Sequence, residues 1–116
     1  MIRVLTILND ELNKMNIPYT FDEWDKEIEL PQFIGELSET PVLDEDGKSE
    51  YTFILNGYAT DIVYLFEVVE QLKKRYKPYQ IVDGVIVAYN NAQTIDNGTD
   101  DLKQIEIRLN IKEWSV

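Results

Sequence analysis

Residues 60–77, TDIVYLFEVVEQLKKRYK, decide how this chain is read. Ile62, Leu65, Phe66, Val69, Leu72 and Tyr76 recur at helical spacing and form one apolar stripe. Thr60 stands where an N-cap belongs, and Asp61 puts negative charge at the positive end of the helix dipole. Lys73, Lys74, Arg75 and Lys77 crowd the other end, where positive charge is favoured, and Pro78 prevents continuation. On the polar side, Glu70 and Lys74 form a helix-stabilising pair worth about 0.3–0.5 kcal/mol. Nothing on that side suggests a reaction. Such a helix is scaffold, and it needs a sheet to lie on.

Upstream, Tyr51 to Tyr58 alternates as a strand, with Tyr51, Phe53 and Leu55 against Thr52, Ile54 and Asn56. Gln32 to Val42 alternates in the same way, and the polar turn Asp44-Glu45-Asp46-Gly47-Lys48 joins the two as an antiparallel hairpin. Before it, Ile17, Tyr19 and Phe21 predict a short strand. Asp22 to Glu29 then forms an acidic run around Trp24 and Ile28. It reads as a solvated connection with one aromatic anchor, or as an acidic contact surface centred on Trp24. Residues 2–15 predict a first helix with Ile2, Leu5, Leu8, Leu12 and Met15 on one face. Val4 and Ile7 widen that face toward a second surface.

Downstream, Gln80 to Tyr89 predicts a strand with a bulge at Asp83-Gly84. Residues 90–101, NNAQTIDNGTDD, read as a long polar loop, and Asn97-Gly98-Thr99 within it as a turn. Leu102 to Trp114 predicts the last strand. Ile105, Ile107, Leu109 and Ile111 lie on one side, and Glu106, Arg108, Asn110 and Lys112 face water or a polar partner. The expectation is a single α+β domain over 1–116, with element order α-β-β-β-α-β-β. Its mostly antiparallel sheet of about five strands carries two helices on one face.

Composition narrows the chemistry. The chain has 116 residues, enough for one core, with 44% hydrophobic and 28% charged residues, an ordinary globular balance. Against 22 acidic residues stand 11 basic ones, a formal charge of −11, which disfavours direct binding to nucleic-acid phosphates or an anionic membrane. Cysteine and histidine are absent, so disulfides, Cys/His zinc sites and His- or Cys-based catalytic pairs are excluded. The N-terminal stretch reaches Asp10 and Glu11 too early for a signal peptide or a membrane span.

Carboxylates are the remaining candidates for chemistry. Asp44, Glu45 and Asp46 could hold a hard cation, but their spacing departs from an EF-hand loop, and turns recruit Asp for backbone reasons. Asp46-Gly47-Lys48, with Asp22 or Asp25, loosely follows the carboxylate–lysine pattern of restriction-type nucleases. Its place in a turn and the acidity of the chain weigh against metal-dependent cleavage. The glycines are scattered singly, with no phosphate-cradling loop. The expectation is a protein that is not an enzyme, with no catalytic residue, no cofactor and no metal.

In the order of its elements, the chain resembles the tail-terminator, or tail-completion, proteins of long-tailed bacteriophages. The resemblance runs over nearly the whole length. It rests on an N-terminal helix, Pro18-Tyr19 in IPYTF, the hairpin PQFIGELSETPVLDEDGKSEYTFILNGYAT, the helix DIVYLFEVVEQLKKRY, and a final pair of long strands. It implies a minor virion component, of phage or prophage, that caps the tail tube as a homo-oligomeric ring. The implied partners are other copies, the tail-tube protein and the head connector. The implied location is the head-proximal end of the tail, with assembly in the host cytoplasm. DNA would pass through an acidic lumen without sequence-specific binding, because like charge keeps it off the wall. Ring closure needs two different surfaces per subunit. The candidates are the wide face of the first helix and the outer face of residues 105–114, with Trp24, Asn90, Asn97, Asp100, Arg108 and Trp114 as interface residues. The alternative from another class is a small acidic inhibitor that mimics DNA; its carboxylates would have to share one elongated face, whereas the acidic runs lie in separate loops.

Overall fold

A computed structural model describes residues 1–21, 29–40, 48–98 and 101–114. Its architecture is mixed α+β: α1 (Ile2–Lys14), β1 (Tyr19–Phe21), β2 (Gln32–Thr40), β3 (Lys48–Ala59), α2 (Ile62–Tyr76), β4 (Gln80–Val82), β5 (Val85–Ile95) and β6 (Lys103–Trp114). The strands form one six-stranded sheet in the order β1-β2-β3-β6-β5-β4. Every pairing is antiparallel except β1 with β2, which run parallel.

The expected five strands are six because Asp83-Gly84 is a turn and not a bulge. Asp83 (φ 49°) and Gly84 (φ 81°) both adopt the left-handed region. Val82 pairs directly with Val85 across them. Two left-handed central residues match the right-handed twist of the flanking strands, which makes this the favoured two-residue hairpin. The bulge lies further on, between Tyr89 and Asn91. The expected long loop is also shorter, since Asn90–Ile95 continues β5 against β6. What remains is a turn in which Gly98 (φ 79°) donates its N–H to the Asp96 carboxylate at 2.9 Å.

The core lies on one side of the sheet. Phe33, Tyr51, Phe53, Leu55, Val85, Val87, Ile105, Ile107, Leu109 and Ile111 are buried, and in register they all belong to one face. Both helices supply the other half of that core. α2 is capped by Asp61 and not by Thr60: the Asp61 Oδ1 accepts from Val63 N–H at 2.9 Å. It buries Leu65, Val68, Val69, Leu72 and Tyr76, whereas Phe66 is 45% exposed. The stripe is thus rotated from the expected one, with Val68 inside in place of Phe66. Lys73, one turn from Glu70, takes the ion pair expected of Lys74 at 3.7 Å; it is exposed and worth little.

α1 is rotated in the same sense. It buries Val4, Ile7, Leu8, Glu11 and Leu12, while Ile2 is 85% exposed. Val4 and Ile7, which suggested a second surface, belong to the core. The helix stops at Asn16, whose φ of 58° lets Ile17 N–H reach back to the Leu12 carbonyl at 3.1 Å; Pro18 then bars further turns.

The buried carboxylate is held between the helices. Glu11 Oε1 accepts from the Tyr76 hydroxyl at 2.7 Å and from Arg75 Nε and Nη2 at 3.2 and 3.1 Å. Burial first, and Glu11 second, push the Tyr76 phenol well above its ordinary value. Burial does the same at Tyr19. Both phenols must therefore stay protonated in the folded chain, while the unfolded chain releases their protons near the ordinary pKa of about 10. Their contribution is complete below that value and is lost as the pH rises past it. Urea unfolding should accordingly show stability falling above pH ~10, by about 1.4 kcal/mol per pH unit for each of the two tyrosines. Tyr19→Phe and Tyr76→Phe should each remove one share of that slope.

Candidate interaction surface

Among the described residues, the face of the sheet turned away from the helices holds none of the buried hydrophobic side chains. Strand alternation sets its composition, because each buried residue on one side places its neighbour on the other. Four cross-strand rows can be followed from the register. They are Gln32–Tyr58–Gln104–Ile95, Ile34–Asn56–Glu106–Gln93, Glu36–Ile54–Arg108–Asn91 and Ser38–Thr52–Asn110–Ala88. Half-buried Ile34, Ile54 and Tyr58 form an apolar line within a polar field.

Charge on this face is nearly balanced. Arg108 Nε meets Glu106 Oε1 at 2.7 Å, and Lys112 Nζ lies 3.9 Å from Glu50 Oε1. Gln104 Nε2 donates to the Tyr58 hydroxyl at 3.4 Å, and the Tyr58 phenol is raised by burial and by nearby Glu36. The face therefore offers DNA phosphates no basic track, nor does it present carboxylates alone. Exposed and half-buried groups in this mixture suit a protein partner better than a small molecule.

Of the residues singled out from sequence, Arg108 sits in the centre of this face. Asn90 lies at the β5 bulge, exposed, and its Nδ2 donates to Asn110 Oδ1 at 3.3 Å, which ties it to the same face. Asn97 is separate from them: its Nδ2 donates to the Leu102 carbonyl at 3.1 Å and closes the β5–β6 turn. Trp114 ends β6 in register with Lys48. Trp24 and Asp100 lie outside the described residues, as do the acidic run Asp22 to Ile28 and the carboxylates Asp44, Glu45 and Asp46. Among the described residues no three carboxylates converge into a group that could hold a metal ion. No helix among them is long and apolar enough to cross a membrane.

No family model matches the chain, and no curated protein matches it.

A second exposed feature was not anticipated from sequence. Phe66, 45% exposed, lines a groove between α2 and β5, and Val63, 55% exposed, lies with it on the outer surface of α2. The helix stripe could have signalled it, because a stripe running from Ile62 to Val69 is wider than one sheet face can cover. Lys73 stands over the Tyr89 ring, 5.7 Å from its centroid, at the rim of the same groove.

Proposed function

We propose that the chain is a structural assembly protein of the tail-terminator kind, forming a ring on a phage tail tube and contacting the head connector. The observation that carries this reading is the sheet face centred on Ile54 and Arg108, which no described element covers. It is broad, mostly polar around an apolar line, and nearly charge-balanced, the composition of a surface made for other protein chains. The element order adds support, since the resemblance rests on a helix, a hairpin, a second helix and a pair of long strands. The formal charge of −11 suits a ring through which DNA must slide without adhering. The DNA-mimic alternative is weaker, because Arg108 and Lys112 interrupt the carboxylates of this sheet face.

Light scattering across a concentration series, alone and with purified tail tubes, tests the reading. A ring-sized species, or retention on tube ends, is expected. Ile54→Lys should reduce retention on tube ends by about tenfold or more, because it buries a charge at the centre of that contact. A chain that stays monomeric at every concentration and also fails to bind tubes would sink the proposal.

A further inference from the structure

The sheet ends in two incompletely paired edges, and they have the form of complementary steps. On one side, β4 covers β5 only at Val85–Val87; on the other, β1 covers β2 only at Phe33–Gly35. The register places these short strands at opposite ends: Val87 is level with Ile111, Tyr51 and Glu39, and Phe33 is level with Gly57, Ile105 and Thr94. Among the described residues, Ala88–Ile95 and Glu36–Thr40 pair with nothing on their outer sides.

One hydrogen bond fixes which backbone groups those edges present. Phe33 N–H donates to the Pro18 carbonyl at 2.8 Å, so helix-facing residues of β2 turn their backbone polar groups toward the β1 side. On an antiparallel sheet this phase carries across every strand. Leu37 and Glu39 therefore point their N–H and C=O outward at one edge, and Tyr89, Ala92 and Thr94 do so at the other. Exposed edges are normally blunted by charge or proline. β5, VIVAYNNAQTI, has neither, in a chain with 28% charged residues.

We propose that the β5 edge receives the β2 edge of a second copy of this chain, Glu36–Thr40 running antiparallel to Asn91–Ile95. Leu37 of the next copy lies opposite Thr94, and its Glu39 lies opposite Ala92. Among the described residues this offset clears both steps: β4 stands beyond the end of the added strand, and β1 of the next copy stands beyond the end of β5. Leu37 then points toward the groove of about 230 Å³ lined by Phe66, Val69, Lys73, Tyr89 and Ala92. Glu39 brings a carboxylate to the side where Lys73 stands, which is the charge complement that two copies of β5 facing each other would lack.

The offset also closes. Leu37 is level with Tyr89 in its own copy and meets Thr94, level with Phe33, in the neighbour, a shift of four residues. Four residues are about 13 Å along the strands, and the four long strands are about 19 Å wide. A strand tilt of about 35° absorbs that shift, inside the range of closed barrels. The contact deepens the ring reading by naming its subunit interface, and it rests on that reading only for closure.

The pairing places Ser38 of one copy opposite Gln93 of the other, both exposed, as a pair without backbone hydrogen bonds between them. Such pairs bring Cα atoms to about 4.5 Å, within disulfide reach. The chain has no cysteine of its own. Oxidising the full chain carrying Ser38→Cys and Gln93→Cys should give a covalent ladder beyond the dimer, and mixing the two single variants should give mixed dimers. Ala92→Pro removes an N–H that β6 does not use; it should keep the circular-dichroism spectrum and weaken self-association about tenfold or more. Efficient dimers from Gln93→Cys alone would replace the proposal with two-fold β5 pairing. A ring-sized native species with no 38–93 ladder would overturn the edge contact and leave the ring reading in place. A ladder from chains that neither close nor bind tubes would uphold the contact and overturn the ring reading.

Discussion

Replacing Gly57 by alanine is expected to lower stability by about 3 kcal/mol, near the upper end of what overpacking costs. Gly57 stands directly across from Phe33, and the absence of a side chain lets the Phe33 ring lie flat on the β3 backbone. A Cβ there would sit 2.3 Å from Phe33 Cε1 and 2.8 Å from Cδ1 and Cζ. Phe33 is fully buried, so its ring has no solvent side to retreat to. The ring must leave its rotamer or push the strands apart. The melting temperature should fall by about 12 °C, at roughly 4 °C per kcal/mol for a chain of this size. Pairing the change with Phe33→Leu separates the cause from a loss of strand propensity. Phe33→Leu alone leaves a cavity and costs about 1–2 kcal/mol, but it also removes the clashing ring atoms. The double variant should therefore be more stable than Gly57→Ala alone, a coupling of about 1 kcal/mol or more. Strict additivity would show that ring and glycine are not in conflict.

Gly35 makes the same arrangement one step along, with the edge of Tyr19 2.6 Å and Phe53 2.8 Å from where its Cβ would be. Tyr19 and Phe53 meet edge to face, with centroids 6.0 Å apart. Both glycines were visible in the sequence, but only as interruptions of alternating strands. Their partners are across the sheet, and cross-strand register is not written in either strand alone.

The same limit explains most of what sequence reading missed. The α2 helix and the β2–β3 hairpin were legible because periodicity, turn residues and terminal charges agreed over long runs. The helix faces were rotated because Val68 and Phe66 fit a wide stripe equally well, and only the sheet decides between them. Asn90–Ile95 read as loop because amides fill positions that a central strand would give to apolar side chains. At an edge, where the helix layer runs out, nothing requires them to be apolar. β1 was found as a strand, but its parallel pairing depends on where the chain returns after Ile28. Among the candidate contact residues, Asn90 and Arg108 share one face, whereas Asn97 lies apart from them in the β5–β6 turn and donates to the Leu102 carbonyl.

Glu11→Ala should cost about 3 kcal/mol, because it opens a gap between the helices and strips a buried phenol of its acceptor. The two partners of Glu11 are not equivalent. Arg75 has a side chain 44% exposed and can turn to water, so its loss is small. Tyr76 is 1% exposed, and its hydroxyl has no such exit. Most of the cost should therefore come from the phenol and not from the ion pair, which runs against reading Arg75–Glu11 as a salt bridge that holds the helices together. Three further variants decide it. Glu11→Gln keeps an acceptor for Tyr76 without the charge, and should cost about 1 kcal/mol. Arg75→Ala should cost under about 1 kcal/mol, as a half-exposed cation does. Glu11→Leu combined with Tyr76→Phe removes both buried polar partners and should recover most of the loss, because an apolar pair of similar shape has nothing left unsatisfied. If Arg75→Ala instead matches Glu11→Ala, the charge pair carries the contact; if the apolar double variant stays as unstable as Glu11→Ala, packing alone accounts for it.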